Sequence, residues 1–178
     1  KTMHPGRIVI TFAMGSKIFY EWMDKYPMIE GYPVDYVNDP RVIGRNDNLV
    51  SINSALSVDL FGQVAADSMG PKQFSGVGGQ VDFVRGARFS KGGISVIAMP
   101  ATAAKGTISR VCACFDKAQP VTTTRNDVDY IVTEHGVAAL WGKTNVRRAE
   151  ALISIAAPEF REDLARQARD VYGWRCKL

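Results

Sequence analysis

The chain has 178 residues, 46% hydrophobic and 22% charged, enough apolar material for one globular domain with a substantial core. Its 22 basic and 18 acidic residues leave a net charge of +4, but the basic residues are scattered, which argues against a nucleic-acid surface. No apolar run approaches the roughly 20 residues of a membrane helix, and three cysteines make no disulfide framework, so a cytoplasmic protein without a membrane partner is expected.

The run Arg7 to Met14 is apolar and β-branched and reads as a buried strand. Gly15-Ser16 opens a helix carrying Ile18, Phe19, Trp22, Met23 and Tyr26 at helical spacing, with Pro27 just past its end. Gly31 to Pro40, with two prolines and Asn38-Asp39, reads as an extended connection. Leu49 to Leu60 alternates, and with Gln63 to Met69 across a Phe61-Gly62 turn it reads as a hairpin. Val81 to Arg88 makes two helical turns, ended by Gly92-Gly93. Ile94 to Met99, Thr107 to Phe115, Val121 to Thr124 and Tyr130 to Thr133 read as strands, and Gly136 to Trp141 as a compact turn or short helix. Cys112 and Cys114 alternate on one strand face, toward the core. Two amphipathic helices close the chain, on Val146, Ala149, Leu152 and Ile153, and on Phe160, Leu164, Ala168 and Val171. The class is α/β, a mixed sheet with flanking helices.

Between these elements lies Ser75-Gly76-Val77-Gly78-Gly79-Gln80-Val81-Asp82-Phe83, three glycines in four residues ahead of a helix start. Such a loop lets backbone N–H groups approach an oxyanion or phosphate, or simply reverses the chain. The dinucleotide fingerprint fails, because its last position is Val81 and no convincing strand precedes it. Gly142-Lys143-Thr144 resembles a P-loop end, but Gly136 is one residue too far upstream. With His4 and His135 alone, and cysteines only as C-x-C, no zinc site stands out, and there is no G-x-S-x-G elbow. Glu134 follows a strand and precedes Gly136, at a strand end where α/β sheets place chemistry, or is an exposed strand-end glutamate. Thr122 to Asp127 is a hydroxyl-rich strand end or an Asx-capped turn. Lys105 is a solvated loop lysine or a phosphate contact. Asn38 starts a turn or orients a carbonyl.

The segments His4-Pro5-Gly6, Tyr32 to Pro40, Ile52 to Gln63, Phe74 to Gly86, Val121 to Gly136 and Arg148 to Leu164, in this order over nearly the whole chain, resemble the C-terminal part of the acetyl-CoA hydrolase/transferase family. These are class I CoA-transferases acting on short acyl-CoA thioesters, and the similarity is greatest to the 4-hydroxybutyrate and butyrate:acetate branch. The resemblance implies the C-terminal half of such an enzyme, with residues 1–178 as one C-terminal domain. It implies covalent catalysis by a glutamate, through an acyl-glutamyl anhydride and a glutamyl-CoA thioester. By the family pattern Gly79 supplies an oxyanion N–H, Gly76 and Gly78 let CoA lie close, and Lys105 contacts CoA. Asn38 lies near the thioester, and Glu134 organises the site without attacking. Coenzyme A enters as substrate, with no permanently bound cofactor or metal. The partners implied are acyl-CoA, a short carboxylate, an N-terminal domain and, optionally, a second copy.

No glutamate here stands in the family's nucleophile context: Glu21 and Glu30 are too late, and Glu134 belongs to another motif. With its start at Lys1-Thr2, the chain is expected to be a fragment that lacks the nucleophile and is inactive alone. The alternatives are an acyl-CoA hydrolase, in which water takes the acceptor's place, and a non-catalytic CoA-binding module.

Overall fold

The computed structural model describes residues 1–177. The N-terminal segment is β1 (Ile8–Ile10), α1 (Lys17–Lys25), β2 (Ile29–Gly31), α2 (Val34–Val37) and α3 (Pro40–Ile43). β1 and β2 pair in parallel, in register from Ile8 against Ile29 to Ile10 against Gly31. The helix expected after Gly15-Ser16 is present, capped by Ser16 Oγ, which accepts from the Phe19 N–H. Its apolar spacing does not mark a buried face, however. No residue of α1 is buried, and Phe19, Trp22 and Tyr26 instead stack on one another along the surface. β1 is likewise shorter and more exposed than expected.

The Gly31 to Pro40 connection is not extended. α2 occupies its middle and α3 starts on its last residue, each a single turn begun at a proline: Pro33 is the residue before α2 and Pro40 the first of α3. Proline's fixed φ and missing N–H suit a helix's first positions as well as they break its interior.

The Leu49 to Leu60 run divides into β3 (Val50–Ser54) and β4 (Ser57–Asp59), which belong to different sheets. β4 forms the expected hairpin with β5 (Val64–Ala65), Ser57 opposite Ala65. The short pair β6 (Ser68–Met69) and β7 (Lys72–Gln73) leads into the glycine loop, and α4 (Gln80–Phe89) follows it. β8 (Ile94–Ala98) pairs in parallel with β3. Beyond it come β9 (Thr102–Ala103), a 3-10 turn at Ala104–Gly106, β10 (Ile108–Ser109) and β11 (Val111–Cys112). Thr107 to Phe115 is therefore two short strands: β10 pairs with β9, and β11 lies parallel to β4. Val121 to Thr124 contributes one bridge, Thr123 to Val64.

β12 (Tyr130–Thr133) is parallel to β8, and β13 (Gly136–Ala139) returns antiparallel beside it, so Gly136 to Trp141 holds a strand rather than a turn or helix. α5 (Asn145–Ser154) and α6 (Pro158–Tyr172) close the fold, as their spacing indicates.

The central sheet has the order β13-β12-β8-β3, a mixed sheet. The row Ile97, Ile131 and Ala138 joins one core with Val84 of α4, Ala149 and Leu152 of α5, Leu164 and Ala168 of α6, and Val58, Val64 and Val111 of the β11-β4-β5 sheet. On the opposite face Val50, Ile52, Ile94 and Val137 remain exposed. Arg148 of α5 is 7% exposed and has three backbone carbonyls as acceptors: Phe61 (2.8 Å), Leu140 (3.0 Å) and Arg125 (2.6 Å). It ties the β4–β5 turn to the loops flanking β12 and β13.

Cys112 and Cys114 do not share a buried face, because the strand ends at Cys112. Cys112 is half-buried with its thiol pushed up to about 12, chiefly by burial, and Cys114 is exposed.

Candidate active site

The parallel strands β3, β8 and β12 end on the same edge of the sheet, with Ser54, Ala98 and Val132 in register. α4 runs from the glycine loop to the turn that starts β8, so its N-terminus reaches that edge. Ligands in open α/β sheets gather at this carboxyl edge.

The loop leading to α4 is held at both ends. On one side the Phe74 and Ser75 N–H groups donate to the Asp67 carbonyl at 2.7 and 3.0 Å. The Asp67 carboxylate accepts from the Thr122 hydroxyl, which holds its pKa below the usual carboxylate value, and from Ser68 Oγ at 3.1 Å. On the other side the buried Gln80 amide donates to Thr123 Oγ1 at 3.0 Å. The hydroxyl-rich stretch at Thr122 is thus the anchor of the glycine loop. Its run of adjacent threonines was the signal in the sequence, but its target was not readable there.

Between these anchors the loop is exposed, and Gly78 has φ +61°. A side chain at Gly76 or Gly78 would meet no atom within 4 Å, so space alone does not demand glycine at either position. Gly79 differs. It is the N-cap of α4, no side chain caps the helix there, and a Cβ on it would lie 3.2 Å from Asn38 Cγ and closer still to the Asn38 amide nitrogen. The structure therefore brings Asn38 and Gly79 together across 41 residues of sequence (79 minus 38). Asn38 reaches this place as the C-cap of α2, its N–H donating to the Val34 carbonyl at 2.9 Å.

The two residues line a cleft of about 1310 Å³, with Asn53 of β3, Asp39 and Arg41 of α3's first turn, and the β1 residues around Ile10 on its walls. Asp39 caps α3 and holds Arg41 bidentately, which lowers its carboxyl to about 2. The site offers an uncapped helix N-terminus, where partial positive charge concentrates, beside a side-chain amide donor.

Glu134 and Lys105 do not line this cleft. Glu134 directly follows β12, on the same sheet edge, exposed, with its Oε2 accepting from the Ala101 N–H at 2.8 Å. Its own N–H and that of Ala101 hold its pKa below the ordinary value. Lys105 follows Ala101 by a few residues, in a turn where Ala104, Lys105 and Gly106 all have positive φ (49°, 57° and 90°). Two non-glycine residues in this region cost about 1 kcal/mol each or more. Among the described residues no group of three His, Cys, Asp or Glu side chains could hold a metal ion, and no helix is long and apolar enough to cross a membrane.

A glycine-led helix start faces an asparagine amide on the carboxyl edge of a mixed α/β sheet. The chain belongs to the acetyl-CoA hydrolase/transferase family: the model of that family's C-terminal domain matches residues 15–168. It is 60% identical over 164 residues to the 4-hydroxybutyrate coenzyme A transferase of Clostridium kluyveri, covering 92% of this chain and 38% of that protein. It is 53% identical over 169 residues to the succinyl-CoA:cyclohexane-1-carboxylate CoA transferase of Geobacter metallireducens, covering 95% and 39%. The crystal structure of RipA from Yersinia pestis superposes with a TM-score of 0.87 at 48% identity, over 97% of this chain and 37% of that one. The chain thus spans about two fifths of the length of the relatives it matches.

Proposed function

We propose that this domain supplies the CoA-binding and oxyanion half of a CoA-transferase that moves CoA between a short-chain acyl-CoA and a carboxylate such as acetate, in the cytoplasm. The nucleophilic glutamate would come from an N-terminal domain outside these residues. The observation that carries the reading is the approach of the Asn38 amide to Gly79 at an uncapped helix N-terminus lining the cleft. Its family membership supplies the class of thioester.

In this scheme the glutamate carboxylate attacks the thioester carbonyl, and the oxyanion that forms is held by Gly79 N–H and the Asn38 amide. Collapse expels the CoA thiolate and leaves an acyl-glutamyl anhydride. The thiolate then attacks the glutamyl carbonyl, releasing the acyl carboxylate and forming a glutamyl-CoA thioester. The acceptor carboxylate repeats these steps in reverse order and leaves as its CoA ester, restoring the glutamate. Lys105, exposed on its turn, offers a cation for the CoA phosphates, and Gly76 and Gly78 leave open space for CoA. Glu134 organises the edge: its Oε2 already accepts from Ala101 N–H, which makes it a poorer nucleophile than a free carboxylate. No permanently bound cofactor is needed for this chemistry.

The test uses the full-length protein with butyryl-CoA and acetate, trapping the glutamyl thioester with borohydride. Acetyl-CoA formation and a borohydride-inactivated enzyme are expected. CoA release that ignores the acceptor carboxylate would establish a hydrolase, and CoA binding without turnover a non-catalytic module. Turnover by residues 1–178 alone would place the nucleophile within this chain and refute the scheme.

A further inference from the structure

Behind α2, one polar cluster joins the N-terminal turn to β2 and α2. His4 sits in a turn with φ +48° and bridges two partners: its Nδ1 lies 2.9 Å from Glu30 Oε2 on β2, and its Nε2 lies 2.8 Å from the Tyr36 hydroxyl on α2. Glu30 is itself held by the Tyr32 hydroxyl at 3.1 Å and Arg7 Nε at 3.2 Å. With Glu30 ionised, Nδ1–H donates to it, and Nε2 of the neutral ring accepts from Tyr36 O–H. In the imidazolium Nε2–H donates to the phenol oxygen instead, so the bridge survives in either state.

α2 needs such a bridge. It has four residues, no side-chain cap and no buried residue, and a lone helical turn does not hold itself together. Its C-cap is Asn38. Whatever fixes Tyr36 fixes the amide that faces Gly79.

We infer that His4 is a positioning residue for the oxyanion site, acting through Tyr36 and α2 to hold Asn38 against Gly79. This rests on the reading of Asn38 as an oxyanion donor. A ring that only filled space at the chain start would not be coupled to Asn38, and that difference is measurable.

The experiment is a double-mutant cycle in the full-length enzyme, reading kcat and KM with butyryl-CoA and acetate. Asn38→Ala is expected to lower kcat about 100-fold, the effect of losing one oxyanion donor. Tyr36→Phe keeps the ring that packs on His4 and Tyr32 and is expected to lower kcat about tenfold, the equivalent of one good hydrogen bond, with KM unchanged. The double variant is expected to be no slower than Asn38→Ala alone, because the relay has nothing left to position. His4→Ala is expected to follow Tyr36→Phe, and if it fails to fold the Tyr36→Phe cycle still decides. Wild-type kcat in Tyr36→Phe, or losses that multiply in the double variant, would overturn the inference while leaving the oxyanion site intact. Wild-type kcat in Asn38→Ala would overturn the site itself, and the inference with it.

Discussion

Gly79→Ala separates stability from catalysis at this site. The backbone at Gly79 has φ −90° and ψ 10°, which alanine adopts without a positive-φ penalty. The new Cβ would start 3.2 Å from Asn38 Cγ and nearer its amide nitrogen, against an ordinary contact of about 3.5–4.0 Å, so the amide nitrogen must retreat by about 1–1.5 Å. Asn38 sits at the cleft wall and its terminal amide can rotate, so displacement costs about 1 kcal/mol. Replacing glycine at a helix N-cap by alanine adds at most about 1 kcal/mol. Together these lower Tm by only a few degrees in a chain of this size. Moving one oxyanion donor out of line costs far more at the transition state, about 100-fold in kcat or near 3 kcal/mol. The assay is initial-rate CoA transfer by the full-length enzyme alongside thermal unfolding. Turnover within threefold of wild type in a folded variant would refute the placement of Gly79 and Asn38 at the reacting carbonyl. A large Tm loss would show that the residue is structural.

Arg148→Met leaves the carbonyls of Phe61, Leu140 and Arg125 without their guanidinium and is expected to cost about 3 kcal/mol in urea unfolding, a value below 1 kcal/mol counting against its role as a staple. Thr123→Val removes the acceptor of the buried Gln80 amide, with an expected loss of about 1–3 kcal/mol and faster amide exchange across residues 75–80. Unchanged exchange there would show that the loop does not depend on this anchor. Asp39, held at about 2 by Arg41, contributes stability that is complete above the ordinary carboxylate value and is lost as pH falls from about 4 toward 2. Asp39→Asn should flatten that acid limb, and an identical limb in both proteins would refute the assignment.

The elements legible in the sequence were those whose pattern ran long enough to be unambiguous: α1, α4, α5, α6, β8 and β12. Burial was less legible than periodicity, since the aromatic stripe of α1 has the spacing of a core face and lies on the surface. The division of Leu49 to Leu60 between two sheets leaves no mark in an alternating pattern, because both halves alternate. Gly136 to Ala139 lacks β-branched residues apart from Val137 and becomes a strand through its pairing with β12, a tertiary effect that propensity does not carry. α2 and α3 were hidden by prolines that begin helices rather than end them. At the site, the glycine loop was visible as a loop and the family resemblance put both Gly79 and Asn38 near the thioester, but their direct approach appears only in the structure. No spacing rule connects a C-cap asparagine to an N-cap glycine in another element.

The guanidinium of Arg148 also bears on how the chain reaches this state. Its acceptors lie 87, 23 and 8 residues away in sequence, so it is satisfied only once the β4–β5 turn and the loops around the β12–β13 hairpin have converged. Burying a charge with one or two of its three partners in place is unfavourable, which puts this desolvation after the main folding barrier, when the rest of the core is assembled. A late-forming lock of this kind leaves the folding rate nearly alone and acts on the way out: it slows unfolding. The residue therefore sets the lifetime of the folded domain more than the speed of its formation.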